Sequence, residues 1–267
     1  MLRSGPLRLG LVKEGMQPRI PAGKKDAYSS SSSDKISLRS AATTIAGAFA
    51  NDPVNSWFRP LATAAEKTGP SAKRAYSRWI QWYNLSGVVL ESQPPYTKCH
   101  ILGETEGDDL PAAVILLTPP KSKQRWTIGG LWRALKLYTN VLWYPIDLQL
   151  PKSRLEEFHR CQKVGIHRLL KENPEAWHLE MIAVHPSLQG KGIGKLAMKA
   201  VFNFVNQEPI LIECSSEKNL PFYRNLNFTT LEEVEMVDAP QFDGDTGRVK
   251  EWLMIRESSA TEERRAK

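Results

Sequence analysis

Cysteine is scarce: Cys99, Cys161 and Cys214 are the three in 267 residues, widely spaced and with no CxxC pair. That pattern excludes a disulfide framework and a cysteine zinc site, and it makes a reducing compartment the default. Long apolar runs are missing as well. No stretch of about 18 uninterrupted apolar residues occurs, so no membrane-spanning helix is expected. The folded body also lacks a strong charge of one sign. The chain totals +7, but residues 1–34 hold six Lys/Arg against three acids, and Arg256–Lys267 holds four against three, which leaves +3 for the body. That is too little for a nucleic-acid surface, although it suits a small anionic ligand. Ser215-Ser216 has no G-x-S-x-G elbow around it, so a hydrolase triad is not supported.

What is present divides into two tails and a body. "SSSSS" (Ser29–Ser33) ends a basic, serine-rich stretch, 1–34, that cannot bury enough apolar area to offset its ordering, and 257–267 reads the same way. The arginine-bearing, acid-poor opening faintly resembles a mitochondrial presequence, but its prolines and glycines interrupt any amphipathic helix. A cytoplasmic protein is expected, with mitochondrial targeting the alternative. Residues 35–256 read as one mixed α/β domain. "KISLRSA" alternates like a strand, and "ATTIAGAFA" follows as a helix closed at Asn51-Asp52-Pro53. "SAKRAYSRWIQWYN" is a further helix, while "GVVLES" and "AAVILLT" are short buried strands. Lys152–Glu172 reads as one helix, with Leu155, Phe158, Cys161/Val164 and Leu169 on its inner face. Trp177–Val184, "PILIEC", "FTTLEEVEM" and "VKEWLMIRE" are strands, and "NLPFYRNL" is a short helix. Between them 121–150 forms an aromatic insertion, read as a packing helix or as a wall over a substrate site.

The body's most informative stretch is "MIAVHPSLQGKGIGKLAMKAV", Met181–Val201, in which a strand runs into a glycine turn and then a helix. A P-loop would need glycine at Gln189 and Ser/Thr at Leu196. A dinucleotide fingerprint would need glycine at Lys195. What remains is Q-x-x-G-x-G, met at Gln189, Gly192 and Gly194. Glycines let backbone N–H groups approach an anion without a Cβ in the way, and the helix that follows adds unpaired amides and the positive end of its dipole. Lys191 and Lys195 add charge within one turn.

"LEMIAVHPSLQGKGIGKLAMKAV" together with "LIECSSEKNLPFYRNLNF" resembles the GNAT acetyltransferase superfamily. The first block is similar to its acyl-CoA-binding motif and the second to its strand–helix motif, the two covering Leu179–Phe228. The resemblance implies a GNAT fold, a central mostly antiparallel sheet splayed around the acyl-CoA site and flanked by helices. It implies that Ile182, Ala183 and Val184 bond the pantetheine arm through main chain. Gln189, Gly190, Lys191, Gly192, Ile193, Gly194 and Lys195 would hold the pyrophosphate, Asn219 the pantetheine, and Arg224 the adenosine phosphate end. Tyr223 stands where many members carry the tyrosine that protonates the leaving thiolate. Asn227 replaces the family's usual glycine, and asparagine tolerates the left-handed turn required there.

N-acetyl transfer needs a neutral amine, a donor for the oxyanion and at most a mild acid for the thiolate. A phenol suits the last role, which Tyr223 would fill. Glu180 is the carboxylate placed to act as base, provided strand alternation turns it toward the acceptor. Glu213 ranks behind it, and His178 and His185 further behind, with His185 reading as a cap or a surface residue. The expectation is an N-acetyltransferase acting by direct attack in a ternary complex of acetyl-CoA and an amine, a small molecule to judge by the aromatic insertion. The alternatives are a protein lysine or N-terminal acetyltransferase and a non-catalytic CoA-binding module. No metal, nucleic acid or membrane partner is expected, and the chain is read as a monomer or homodimer.

Overall fold

The computed structural model describes residues 10–11, 38–57, 98–105, 110–124, 152–240 and 246–258. Seven strands form one sheet in the order β1-β2-β3-β4-β5-β7-β6. These are β1 (Gly10–Leu11), β2 (Lys98–Glu104), β3 (Pro111–Thr118), β4 (Trp177–Val184), β5 (Ile210–Cys214), β6 (Thr229–Val237) and β7 (Arg248–Arg256). β3 is a nearly continuous apolar run, buried from Pro111 to Leu117, as a central strand covered on both faces must be. Every neighbouring pair is antiparallel except β4–β5, so the sheet is mostly antiparallel, as expected.

Two helices cover one face. α5 (Ile193–Phe204) buries Ile193, Ala197, Met198 and Val201, a helical stripe, and α6 (Leu220–Arg224) buries Leu220 and Tyr223. Both join one core cluster with Ile115, Leu179, Ile212 and Met254 of the sheet. Full burial of each large aliphatic side chain in that stripe is worth about 1.5–3 kcal/mol. The other face carries α1 (Leu38–Ala48), α2 (Pro53–Trp57), α3 (Lys152–Val164) and α4 (Ile166–Glu172). Ala41 and Ile45 of α1 pack on Val114, Leu116 and Ala183. α3 and α2 meet over Met236 and Val249, and α4 covers Leu211, Leu253 and Ile255. No helix among the described residues is long and apolar enough to cross a membrane.

Four readings of the sequence change. Leu38–Ala41 of the expected strand 35–41 is instead the first turn of α1, because Ala41, Ile45 and Ala48 recur at helical spacing and dock on the sheet. β2 had no reading as a strand: "KCHILGE" mixes charge and histidine with its apolar residues, yet it pairs with β3 along nearly its full length. Lys152–Glu172 is two helices, broken at Gly165, where a Cβ would stand 2.9 Å from Leu253 Cδ1 and 3.0 Å from the Cys161 carbonyl. Val164, read as inward-facing, is 53% exposed. Within the segment read as the amino-terminal tail, Gly10 and Leu11 pair with Ile101 and His100. The expected elements "SAKRAYSRWIQWYN" and "GVVLES" and most of the aromatic insertion lie outside the described residues.

Candidate functional site

The site begins where β4 and β5 part. Their parallel ladder has three rungs, Trp177↔Ile210, His178↔Leu211 and Leu179↔Ile212, while β4 runs on to Val184 and β5 turns to β7 alone. On its other edge β4 stays paired with β3. Val184 stands opposite Ala113, and His185 N–H donates to the Ala112 carbonyl at 2.9 Å. Antiparallel alternation then turns the main-chain groups of Ala183 toward β3 and those of Ile182 and Val184 toward the open split. The Ala183 side chain is buried under α1.

The glycine turn closes the end of this split. Gln189 Nε2 donates to the Val184 carbonyl at 3.2 Å and ties the turn to β4. Gly190 and Gly192 have φ +73° and +82°, and a Cβ at either would meet nothing within 4 Å. Gln189, Gly190, Lys191, Gly192 and Lys195 are exposed, whereas the Ile193 side chain anchors the first turn of α5 in the core. Among the described residues no acceptor takes the amides of Ile193, Gly194 or Lys195; the first α5 bond back to the turn is Leu196 N–H to the Gly192 carbonyl, 3.1 Å. Converging free amides, open space in front of them and two lysines are what a phosphate-bearing chain requires, so these residues fit a CoA-type ligand.

On the α1/α3 face of the split lies a row of polar side chains. The β3–β4 register steps from Leu117↔Leu179 to Leu116↔Met181, which leaves Glu180 as the extra residue of a bulge. Its carboxylate accepts from the Thr118 hydroxyl and stands 3.8 Å from His178 Nδ1. His178 Nε2 is 3.2 Å from Glu213, whose other oxygen accepts from Gln162 Nε2 of α3 at 2.5 Å. Burial alone would lower the His178 pKa, but the hydrogen bond to Glu213 and the charges of Glu180 and Glu213 outweigh it, and the net shift is upward. Further along, the Ser215 hydroxyl donates to Asp52 in the turn between α1 and α2. Glu251 of β7 completes the row, and burial first, then the Glu213 and Asp52 carboxylates, push its pKa well up.

On the α5/α6 face Tyr223 is buried, its ring edge-on to Phe222 at 5.1 Å and to Phe228 at 5.7 Å. Burial, with a smaller push from Cys214, raises its pKa above the ordinary phenol value, so it stays protonated across the neutral range. Asn227 takes φ +65°, with Phe228 N–H bonded to the Tyr223 carbonyl and Asn227 N–H to that of Arg224, a Schellman ending that does without glycine. Asn219 and Arg224 are both exposed. Ser216 precedes the turn into α6; it accepts Asn219 N–H through its carbonyl, and its hydroxyl caps nothing. Of the two readings of His185, the structure gives the cap: its Nδ1 accepts from Ser187 N–H at 3.4 Å.

The fold thus brings Glu180 and Ile182–Lys195 to the split, with Tyr223 on the opposite face from Glu180. His178, ranked low in the sequence, sits between two carboxylates. Asp52 and Glu251 carried no reading as site residues, since neither lies in a motif and only the folded sheet puts them beside Glu213.

Residues 156–230 match the family model of the acetyltransferase (GNAT) domain. Over 132 residues the chain is 29% identical to an uncharacterised N-acetyltransferase of Schizosaccharomyces pombe, the match covering 48% of each chain. The match thus spans about half the length of that curated relative. Among solved structures, the chain is similar to a Corynebacterium glutamicum protein described as histone acetyltransferase HPA2 and related acetyltransferase, at 17% identity and TM-score 0.46 over 83% of this chain and 91% of that one. It is also similar to arylalkylamine N-acetyltransferase 2 of Aedes aegypti, at 14% identity and TM-score 0.46 over 82% and 94%.

Proposed function

We propose that this chain, whose residues 156–230 match the acetyltransferase (GNAT) domain model, is an acyl-CoA-dependent N-acetyltransferase that moves an acetyl group to a small amine in a ternary complex. The observation that carries this reading is the split after Leu179/Ile212, closed at one end by the unbonded amides of α5. Gln189–Lys195 would hold the pyrophosphate, and Ile182 and Val184 the pantetheine arm through main chain, with Asn219 and Arg224 toward its outer parts. Acetyl-CoA supplies the activated acyl carbon as a thioester.

The residues of this chain divide the remaining work. Glu180, held by Thr118 and pushed out of the ladder by the bulge, takes the proton of the acceptor ammonium directly or through water. The N–C bond forms as the C–S bond breaks. A free amide facing the split stabilises the oxyanion. Tyr223 hydrogen-bonds the departing thiolate, which ends as the thiol with a proton returned from solvent. Its raised pKa makes it a hydrogen-bond donor rather than an outright proton source, since transfer to a thiolate of pKa near ~8.5 runs uphill. Thiol release from acetyl-CoA, measured across an amine library, tests the reading. Amine-stimulated release that falls in Glu180→Gln supports it. CoA binding with no transfer to any amine or peptide would leave only a binding module.

A further inference from the structure

Direct acetyl transfer gives Glu251 no role, yet its position is costly. Glu251 is only 7% exposed, and among the described residues its carboxylate accepts no hydrogen bond and forms no ion pair. Buried carboxylates are ordinarily paired. Here the neighbouring charges are Glu213 and Asp52, of the same sign. Glu213 itself is held by Gln162 and His178 and among the described residues has no Lys or Arg partner. Asp52 accepts from Ser215 and from the Asn55 amide. Together with Glu180, four carboxylates follow one another on one face of the sheet, with His178 between Glu180 and Glu213.

Such a row calls for a cation. Among the described residues no group of three His, Cys, Asp or Glu could hold a metal ion. An ammonium group places weaker demands: three N–H donors and positive charge, satisfied by acceptors that do not converge on one point. The sheet register fixes where it would sit. Glu213 stands opposite Leu253 and Cys214 opposite Trp252, so Glu251 lies one step beyond the end of β5, level with Ser215. Glu180 is on β4, level with Glu213, so it lies two strand spacings across β5 and two residues along the strands from Glu251, a separation of roughly 12 Å.

We propose that the acceptor is a di- or polyamine and that its second ammonium group seats among Glu251, Glu213 and Asp52 while its first reacts beside Glu180. This rests on the acetyltransferase reading above. The reacting nitrogen loses its proton and forms the N–C bond as the C–S bond breaks; the distal nitrogen keeps its proton and its charge throughout.

The test compares 1,5-diaminopentane with 1-aminopentane as acceptors for wild type, Glu251→Gln and Glu251→Leu. Isothermal titration of the diamine, with and without CoA, accompanies it. Wild type is expected to favour the diamine by about tenfold or more in kcat/KM, mainly through KM, and both variants to bring that ratio close to one. Equal kcat/KM for the two amines in wild type, with transfer intact, overturns the ammonium seat and leaves the acetyltransferase reading standing. So does preferential acetylation of a lysine-rich peptide. Absence of both CoA binding and transfer overturns the acetyltransferase reading instead. The titration still judges the seat in that case: diamine binding weakened by about tenfold in both variants supports it, and no binding overturns it.

Discussion

Tyr223 and Glu180 stand on opposite faces of the same split, one kept protonated by burial and the other held by Thr118. Removing the phenol hydroxyl in Tyr223→Phe is expected to lower kcat by about 10–100-fold while leaving the acetyl-CoA KM near its wild-type value. Steady-state kinetics check this, and an unchanged kcat would reduce Tyr223 to packing against Phe222 and Phe228. Glu251 and His178 give a second expectation. Both have folded pKa values raised above the unfolded ones, so the native state binds more protons and stability falls as pH rises. The Glu251 contribution is complete below about 4.5 and the His178 contribution below about 6.5, and each is lost as pH passes through the higher folded value. Denaturant midpoints measured from pH 5 to 9 should decline, and Glu251→Gln should flatten the decline. A midpoint that rises over that range would contradict both shifts. At this scale the sequence was legible only inside motifs. "LEMIAV" and "LPFYRNL" pointed to Glu180 and Tyr223, whereas Glu251 in "VKEWLMIRE" looked like any solvent-facing strand residue. A single residue does not announce that Glu213 and Asp52 will become its neighbours.

Among the elements, the glycine turn separates backbone need from space. Gly192 has φ +82° and open surroundings, while Gly194 has ordinary φ and a would-be Cβ 3.5 Å from the Phe222 ring, a normal contact. Gly194→Ala should therefore fold with little penalty, whereas Gly192→Val forces a branched side chain into the left-handed region, at about 1–2 kcal/mol, and fills the cradle. Thermal melts that rank the two the other way would contradict this. Gly165 is the opposite case, a glycine kept for close approach: Gly165→Ala should cost about 1–3 kcal/mol, because the Leu253 side chain must shift. Element type was legible wherever periodicity was long, as in α5, or the apolar run unbroken, as in β3. It failed where short patterns competed. Leu38 fits the alternation of "KISLRSA" as well as it fits α1, and docking of Ala41 and Ile45 decides between them. β2 carries His100 in its buried middle, which no apolar count favours.

For the whole molecule, the decisive feature is a sheet that parts after three parallel rungs, leaving a strand edge and a helix mouth open on the same gap. The strand–glycine–helix order was readable from the chain. The divergence itself was not, because it depends on β5 pairing with β7 instead of following β4 to its end. The open edge, the free amides and Lys191 and Lys195 together carry the proposal that this gap holds a pyrophosphate. Isothermal titration of CoA into wild type and Gly192→Val tests it directly. Expected is one CoA per chain, with affinity falling by about tenfold or more in a variant whose melting curve still shows a cooperative fold. Equal affinity in the two proteins, or no CoA binding by wild type, would contradict it.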